Sequence, residues 1–399
     1  MKVMTTSSLL TELQCAECGR VHSPHTRQML SNCCQAPLLS QYNLSVNFSI
    51  ESLQGRVPTL WRYQELLPVY EPQNQVSLGE GFTPILTLNR LPVQYSFAHL
   101  QLKDEGLNPT GSFKARGLSM AVSKAKELGE SACIIPTAGN AGVAMAAYCA
   151  RAGLEAVVVM PRHTPEAFKE ECIGYNATLI LVDGLINDCA VKAKEINQHQ
   201  QFFDVSTLKE PYRLEGKKTM GYEIAEQFNW QLPDVILYPT GGGTGLIGIW
   251  KAFREMQVLG WLPLDQPLPR MVAVQTQHCC PIVATFWGKQ PNAKKYVGKP
   301  TLANGLAVPR PIGEPLILQV LKESKGTAIA VSEEELIEGV SELSSKEGMF
   351  VAPEGGAIWV AAKKLLQQGW IHPQERILLL NTGSGQKYLD NIKGKWHKI

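Results

Sequence analysis

The sequence has almost no excess of charge of either sign. Its 399 residues include 38 Lys and Arg against 36 Asp and Glu, which gives a formal net charge of +2. Proteins that bind nucleic acids or membrane surfaces through charge normally carry a clustered excess of basic residues. The balance therefore argues against a nucleic acid or a membrane as a partner of this chain.

Long apolar runs and a secretion signal are also lacking. The sequence contains no run of about 18 apolar residues, which excludes a transmembrane helix. In the N-terminal segment "MKVMTTSSLLTELQC", polar residues interrupt the short apolar pair, so the core of a signal peptide is missing. The ten cysteines are scattered, which favours reduced thiols over a disulfide framework. We therefore expect a cytoplasmic protein.

From about residue 100, short runs of β-branched and aliphatic residues alternate with helical patterns. These runs cover residues 132–136, 155–161, 177–184, 234–240, 270–275, 326–332 and 376–383. Nearly continuous apolar strands separated by helices indicate parallel sheets that are covered on both faces. About eight strands are more than one compact sheet usually holds. The predicted fold class is therefore α/β, with two parallel or mixed sheets and flanking helices.

Three glycine-rich segments follow predicted strands. They are "TAGNAG" (137–142), "PTGGGTG" (239–245) and "NTGSG" (381–385). Ligands of such folds bind beyond the carboxyl ends of the strands. Glycine lets the backbone approach a ligand closely, and the N–H groups at a helix start attract anions. The segment 239–245, with four glycines and Thr244, is therefore predicted to bind a phosphate group.

The same segment contains a formal G-x-G-x-x-G, formed by Gly243, Gly245 and Gly248. A dinucleotide site needs an acidic residue near the end of the next strand, where it binds the ribose. Here Gln275 ends the next predicted strand, and no acid is present there. We therefore do not expect a dinucleotide.

A lysine occurs where the loop "PTGSFKARG" (109–117) turns into a predicted helix. Taken alone, Lys114 could be an ordinary surface residue, and Asn140 in "TAGNAG" could be an ordinary N-cap. Together with a phosphate-binding loop, they match the needs of a phosphorylated aldehyde cofactor. The lysine amine forms a Schiff base with the aldehyde, and the loop holds the phosphate.

The segments "SFKARG", "TAGNAG", "TGGGTG" and "NTGSG" occur in this order. As a set they resemble the fold-type II pyridoxal-phosphate enzymes (tryptophan synthase β-like), over roughly residues 75–390. Two segments, "EGLNPTGSFK" (105–114) and "PYRLEGKKT" (211–219), are most similar to the threonine synthases of that family. The resemblance implies pyridoxal 5'-phosphate as cofactor, a small amino-acid substrate and a homodimer.

The resemblance also implies roles for matched positions. Lys114 would form the Schiff base and transfer protons at the substrate's Cα and Cβ, and Asn140 would bind the cofactor's phenolic oxygen. Thr382 would meet the pyridine nitrogen. The cofactor's phosphate would be held by Gly241, Gly242, Gly243, Thr244 and Gly245.

Three further residues are candidates for binding a phosphate on the substrate, namely Thr110, Ser112 and Arg213. The forked guanidinium of arginine matches phosphate oxygens well. The alternative for Arg213 is a surface residue that precedes a helix. Glu354, in "APEGGA", is predicted to begin a helix, where an acid suits the helix dipole.

By resemblance, the reaction would convert O-phospho-L-homoserine and water to L-threonine and phosphate. Three departures keep alternatives open: Ala115 stands where threonine synthases commonly have Asp, Thr207 stands where a phosphate-binding Asn is expected, and "TLANGLAVP" (301–309) is closer to serine and threonine dehydratases. The alternatives are release of ammonia from threonine or serine, and β-replacement on phosphoserine. An inactive scaffold of the same fold is the non-enzyme alternative.

The N-terminal segment differs from the rest of the chain and is expected to form a ribbon-like extension over residues 1–75. Residues 76–120 and 221–399 are expected to form a large cofactor-binding domain, with a small α/β domain inserted at 121–220. The extension contains the C-x2-C pattern of a zinc ribbon.

A complete zinc ribbon would have a second C-x2-C, and Ser31 stands where its first cysteine would fall. The candidate zinc ligands are Cys15, Cys18, Cys33 and Cys34. His22 or His25 could replace Cys33 as the fourth ligand. A degenerate ribbon without metal is the other interpretation.

Overall fold

The structure is a computed structural model that describes residues 8–46 and 48–395. Residues 1–7 belong to the segment used above to argue against a signal peptide, and they lie outside the described residues. No helix in the described part of the chain has the length and apolarity to cross a membrane. The chain forms two compact units. Unit 1 comprises Met1–Phe82, Lys114–Glu223 and Gly248–Asp265, and unit 2 comprises Thr83–Phe113, Ile224–Ile247 and Gln266–Ile399.

The described strands are, in chain order, β1 (Leu10–Cys15), β2 (Val21–His22), β3 (Leu38–Tyr42), β4 (Ile85–Thr87), β5 (His99–Asp104), β6 (Ala132–Pro136), β7 (Glu155–Pro161), β8 (Thr178–Val182), β9 (Phe203–Asp204), β10 (Val235–Pro239), β11 (Arg270–Thr276), β12 (Thr327–Val331) and β13 (Arg376–Asn381).

The described α-helices are α1 (Arg90–Tyr95), α2 (Lys114–Glu127), α3 (Asn140–Ala152), α4 (Glu166–Gly174), α5 (Ile186–Ile196), α6 (Tyr212–Gln227), α7 (Thr244–Val258), α8 (Pro281–Phe286), α9 (Glu314–Glu323), α10 (Glu333–Glu347), α11 (Pro353–Gln367) and α12 (Leu389–Ile392).

Unit 2 is built on a six-stranded sheet in the order β12-β11-β10-β13-β5-β4. All neighbouring strands are parallel except β4, which pairs antiparallel with β5 at one edge. The central strand β10 is buried at all five positions. Helix α11 packs on this sheet, and its apolar face, which includes Trp359, joins the main hydrophobic core. A continuous apolar strand is what burial of both faces of a parallel sheet requires.

Unit 1 contains a four-stranded parallel sheet in the order β8-β7-β6-β9 and a separate three-stranded antiparallel sheet in the order β2-β1-β3. The predicted α/β class with two parallel or mixed sheets and a ribbon-like N-terminal extension is confirmed. Strands β4, β5 and β9 were not predicted. Strand β5 alternates polar and apolar residues, and β9 has only two residues, so neither gives a continuous apolar run.

Helices α2 and α6 of unit 1 cross at two glycines with almost no space between their backbones. A Cβ atom on Gly216 would lie 2.1 Å from the carbonyl oxygen of Arg116, and one on Gly117 would lie 2.9 Å from that of Arg213. Real Cβ atoms do not make contacts this short, so only glycine permits the crossing.

A buried ion pair holds the same crossing. Arg116 of α2 and Glu223 of α6 are both fully buried, with Nη1 and Oε1 2.5 Å apart. Arg116 Nη2 donates to Glu223 Oε2 at 2.6 Å, and Nη1 also donates to Thr219 Oγ1 at 3.0 Å. This bidentate geometry fixes the first turn of α2 against α6.

We expect Arg116→Met to lower the free energy of unfolding by about 3–5 kcal/mol, because it leaves the carboxylate of Glu223 buried without its guanidinium. Urea unfolding followed by circular dichroism measures the change. The matched control is Arg162→Met, which removes an ion pair to Asp183 whose side chains are 59% and 80% exposed. The control should cost far less, because water screens an exposed ion pair. Equal losses for the two variants would contradict a structural role for the buried pair.

Candidate active site

Three loops of unit 2 leave neighbouring strands at the same edge of its sheet. Strands β10, β13 and β5 are adjacent and parallel, so their carboxyl ends lie side by side. The loop after β10 carries Gly241–Gly245, the loop after β13 carries Thr382, and the loop after β5 carries Thr110 and Ser112. This is the edge at which parallel α/β sheets bind ligands.

The loop after β10 has room only for glycine at several positions. A Cβ atom on Gly241 would lie 2.3 Å from the carbonyl oxygen of Gly305, and one on Gly245 would lie 1.9 Å from Tyr238 Oη. Gly243 has a φ of +79°, a conformation that other residues rarely adopt. The glycines therefore form a tight turn that residues with a side chain could not form at these positions.

This turn, the glycine loop, presents backbone N–H groups. The amides of Gly241, Gly242 and Gly243 donate to no backbone carbonyl in the described part of the chain. Helix α7 begins at the next residue, Thr244, which is buried. Free amides at the positive end of a helix dipole are a ready-made site for an anion such as phosphate.

Glu354 supports the glycine loop from behind. Its carboxylate is buried, and Oε1 accepts the backbone N–H of Gly305 at 2.7 Å and the hydroxyl of Tyr388 at 3.3 Å. Gly305 is the residue whose carbonyl lies against Gly241. The sequence pattern predicted that Glu354 begins a helix, and its position in the first turn of α11 confirms this. The pattern did not predict the hydrogen bond between Glu354 and Gly305.

The loops that carry Thr382 and Ser112 are tied together by backbone hydrogen bonds. The N–H of Phe113 donates to the carbonyl of Thr382 at 3.1 Å, and the N–H of Ser384 donates to that of Gly111 at 2.9 Å. Thr382 is 6% exposed. Its position at the end of β13 is therefore fixed by the loop after β5.

Two hydroxyl groups of the loop after β5 are buried without a hydrogen-bond partner. Thr110 Oγ1 and Ser112 Oγ have no hydrogen-bond partner among the described residues. Thr110 also has a φ of +61°, which is uncommon for a residue with a side chain. Buried hydroxyls normally find partners, so both groups are suited to binding a polar ligand.

In unit 1, the loops after β6 and β9 leave adjacent parallel strands. The first contains Gly139, with a φ of +142°, and Asn140 follows it as the first residue of α3. Thr137 Oγ1 accepts the N–H groups of Gly139 and Gly142 at 3.1 and 3.3 Å, which closes the turn. The second loop contains Thr207 and leads to α6.

Arg213 is not a surface residue, because it is only 1% exposed. Its Nη1 donates to the carbonyl of Val205 at 2.6 Å and to Thr207 Oγ1 at 3.2 Å. Its Nε and Nη2 atoms have no hydrogen-bond partner within residues 8–46 and 48–395. A buried guanidinium with unused donors is suited to binding an oxyanion.

Lys217 is a second buried cation one turn further along α6, and the sequence analysis missed it. A Cβ atom on Gly117 would lie 2.9 Å from Lys217 Cε and 3.4 Å from its Nζ. Gly117 is one turn after Lys114 on α2, so Lys217 lies beside the turn that Lys114 begins. Burial lowers the pKa of Lys217 well below its usual value, and the charges of Arg213 and Lys114 lower it further. Its spacing of four residues from Arg213 was the available signal.

Glu210 is an acid whose charge acts on both Arg213 and Lys217. Its carboxylate accepts the backbone N–H groups of Tyr212 at 2.7 Å and of Arg213 at 3.1 Å. Burial raises the pKa of Glu210 to about 7, although Arg213 and Lys217 lower it. Near neutral pH its negative charge is therefore incomplete.

A model of the pyridoxal-phosphate dependent enzymes matches residues 76–383 of this chain. The chain belongs to this family, and pyridoxal 5'-phosphate is its cofactor. The glycine loop offers unused amides at a helix start, which suits the cofactor's phosphate. Lys114, at the start of α2, is the predicted source of the amine that an aldehyde cofactor needs. The residues present thus fit the cofactor.

Similar sequences indicate which members of this enzyme family the chain resembles. The chain is 34% identical to the threonine synthase of Methanocaldococcus jannaschii over 379 residues, which cover 94% of this chain and 92% of that protein. It is 32% identical to the threonine synthase of Methanosarcina acetivorans, with coverage of 93% and 91%. The maize serine racemase structure matches with a TM-score of 0.67 and 19% identity over 83% of this chain and 94% of that one, which shows the fold alone.

These findings confirm the resemblance that the four sequence segments gave, together with the fold-type II fold and the cofactor. The individual roles of Lys114, Asn140, Thr382 and the glycine loop stay predictions. The structure places Thr110, Ser112 and Thr382 together in unit 2, and it places Asn140 and Arg213 in the first turns of α3 and α6, which follow the adjacent strands β6 and β9 of unit 1.

We expect Glu354→Ala to weaken cofactor binding by about 10- to 100-fold, since a hydrogen bond to a charged group contributes about 1.5–3 kcal/mol. Titration of the cofactor-free chain with pyridoxal 5'-phosphate, followed by absorbance, measures the affinity. Glu354→Gln is the matched control, because its amide oxygen can still accept the N–H of Gly305. Parent-like affinity of the alanine variant would show that Glu354 does not support the glycine loop.

Proposed function

We propose that the chain is a threonine synthase that converts O-phospho-L-homoserine and water to L-threonine and phosphate. The observation that carries this proposal is the buried guanidinium of Arg213 in unit 1, whose Nε and Nη2 have no hydrogen-bond partner within residues 8–46 and 48–395. Unused donors on a buried positive charge are costly unless an anion binds them. A substrate with a phosphate group supplies an anion in addition to its carboxylate, whereas serine and threonine carry the carboxylate alone. The names of the two archaeal relatives support the same choice.

In this proposal Lys114 holds the cofactor covalently, and the glycine loop Gly241–Gly245 binds its phosphate. Asn140 binds the cofactor's phenolic oxygen, and Thr382 binds the pyridine nitrogen. A hydroxyl at position 382 does not hold that nitrogen protonated in the way a carboxylate would. When bound, the cofactor supplies an aldehyde that bonds to amino groups and a ring that delocalises negative charge from the neighbouring carbon.

Lys114 is proposed as the group that moves protons. Its amine takes a proton from Cα of the substrate and, after giving that proton up, takes one from Cβ, so that phosphate leaves from Cγ. Lys217 lies beside the same turn of α2. A neutral amine is the form that accepts a proton.

Arg213 and Lys217 are proposed to bind the substrate's phosphate. Nε and Nη2 of Arg213 offer two donors, which match the spacing of two phosphate oxygens. Glu210 opposes the anion only in part, because its pKa is about 7. Thr110 and Ser112 offer two further hydroxyls for the phosphate of the substrate.

Loss of phosphate alone does not complete the reaction, because water must then add. Its oxygen bonds to Cβ, and protons return to Cα and Cγ. One molecule each of O-phospho-L-homoserine and water therefore gives one molecule each of L-threonine and phosphate. Ala115 is fully buried directly after Lys114 and adds no acid of its own to these steps.

A chain supplied with cofactor is expected to release threonine and phosphate from O-phospho-L-homoserine in equal amounts. Phosphate is measured by a colorimetric assay and threonine by chromatography. Lys114→Ala should lower kcat by more than about 100-fold, since it removes the proton-transferring amine. Absence of both products, with ammonia released from threonine or serine, would instead assign the chain as a dehydratase. Turnover of phosphoserine alone would assign it to β-replacement.

A second prediction addresses the substrate's phosphate. Lys217→Gln should lower kcat/KM for O-phospho-L-homoserine by about 10- to 100-fold, since a charge-assisted hydrogen bond is lost. Arg213→Lys should act in the same direction, because lysine lacks the fork. The bound cofactor, quantified after alkaline release, should stay at the parent amount in both variants. Unchanged kcat/KM in both variants would contradict phosphate recognition by α6.

A further inference from the structure

The structure brings four cysteines of the N-terminal extension together, in a group we call the cysteine cluster (Cys15, Cys18, Cys33 and Cys34). Their Sγ atoms all lie within 4.8 Å of one another. Sγ atoms of Cys18 and Cys33 are 3.4 Å apart, and none of the four forms a disulfide. The cluster belongs to unit 1, and nothing in the proposed reaction uses it.

The cluster is built from two turns with the same backbone pattern. In the first, the N–H of Gly19 donates to the carbonyl of Cys15 at 2.9 Å, and the N–H of Cys15 donates to that of Arg20 at 2.9 Å. In the second, the N–H of Gln35 donates to the carbonyl of Ser31 at 3.0 Å.

The correspondence extends to both ends of the second turn. The N–H of Ser31 donates to the carbonyl of Ala36 at 2.8 Å, as Cys15 does to Arg20. Gly19 and Gln35 have φ values of +71° and +55°, so both turns end in the left-handed region. Residues 31–36 thus repeat residues 15–20, and Cys34 is the counterpart of Cys18.

Ser31 occupies the position that Cys15 holds in the first turn. Ser31 is fully buried, and its Oγ accepts the N–H groups of Cys34 at 3.3 Å and Ala36 at 3.1 Å. The thiol of Cys15 also donates to this oxygen at 3.3 Å. Ser31 therefore shapes the turn, and Cys33 brings the fourth sulfur from within it.

The two histidines are less suited to complete the set. His25 stacks on Tyr70, with ring centroids 5.1 Å apart. Nε2 of His22 lies 3.9 Å from Cys33 Sγ, but it is not part of the compact group of four sulfurs.

We propose that Cys15, Cys18, Cys33 and Cys34 bind one zinc ion. With Zn–S bonds of about 2.3 Å, sulfurs at the corners of a tetrahedron lie about 3.8 Å apart. The Sγ atoms of Cys18 and Cys33 lie 3.4 Å apart, and no two of the four sulfurs are more than 4.8 Å apart, so these separations bracket that value. Four cysteine ligands leave no open position for water or substrate, so the ion has a structural role.

The ion would fasten β1 to the turn that leads into β3. Strand β3 in turn covers a buried charge network of unit 1. The carbonyl of Ser40 accepts from Lys251 Nζ at 2.6 Å, and the ring of Tyr42 lies 3.9 Å from Lys218 Nζ. Lys218 and Lys251 both pair with the buried carboxylate of Glu215, at 2.6 and 2.5 Å. Zinc therefore stabilises a strand that keeps this network from water.

Metal analysis of the full chain tests the proposal. The chain purified without chelator should contain about one zinc per chain, as expected of a closed four-cysteine site. Cys33→Ser should lose most of this zinc, whereas Cys189→Ser, which changes a buried thiol outside the cluster, should keep it. Adding Ser31→Cys to Cys33→Ser should restore zinc, because a sulfur then stands where the first turn has Cys15.

A chain without zinc that also gives no thiolate-to-metal absorption with added Co²⁺ would overturn the proposal. A zinc content in Cys33→Ser equal to that of the parent would also overturn it. If His22→Ala then loses zinc, the fourth ligand is His22. If Cys33→Ser does not fold, the zinc content of the parent and of the Cys33→Ser/Ser31→Cys double variant decides the question.

Discussion

The close crossing of α2 and α6 at Gly117 and Gly216 is the constraint on which the proposed chemistry depends. A Cβ atom at either position would push the helices apart, since it would lie within 3 Å of a backbone oxygen of the other helix. The crossing puts Lys217 beside the turn that begins with Lys114. The buried pair of Arg116 and Glu223 fixes the same turns with a bidentate contact. A lysine at a helix start thereby acquires a neighbouring buried lysine that no local sequence pattern supplies.

Burial of cations at this crossing has an energetic consequence. Arg116 is compensated by Glu223, but Arg213 keeps two donors without partners among the described residues. Glu210, whose charge acts on Arg213, has a pKa raised to about 7. Burial likewise lowers the pKa of Lys217. Such an arrangement lowers the stability of the fold but favours the binding of an anion. Functional sites commonly differ from structural ion pairs in this respect. In unit 2 the glycine loop also keeps unused donors that suit an anion, but these donors are backbone amides and not charged side chains.

The sequence predicted those features that arise from local patterns. Continuous apolar runs identified strands such as β7 and β10 with nearly correct bounds, and the order of the glycine-rich segments identified the family. Contacts between distant segments could not be predicted in this way. In the sequence, Lys217 cannot be distinguished from the other polar residues of α6, because its contact with Gly117 forms only in the fold. The contact of Glu354 with Gly305 likewise joins residues that are 49 positions apart. The sequence left the fourth ligand of the cysteine cluster open between Cys33 and two histidines, because only the positions of the side chains in the fold distinguish them. The expected domain bounds and site roles stay predictions.

The most direct test of the central claim is to identify the lysine that bonds to the cofactor. The chain loaded with pyridoxal 5'-phosphate is reduced with borohydride, digested and mapped by mass spectrometry. Because Lys114 and Lys217 lie on adjacent turns of crossing helices, the result distinguishes two amines in one neighbourhood. A phosphopyridoxyl group on Lys114 alone is the expected result. The same group on Lys217, on another lysine, or on none would contradict the assignment of Lys114.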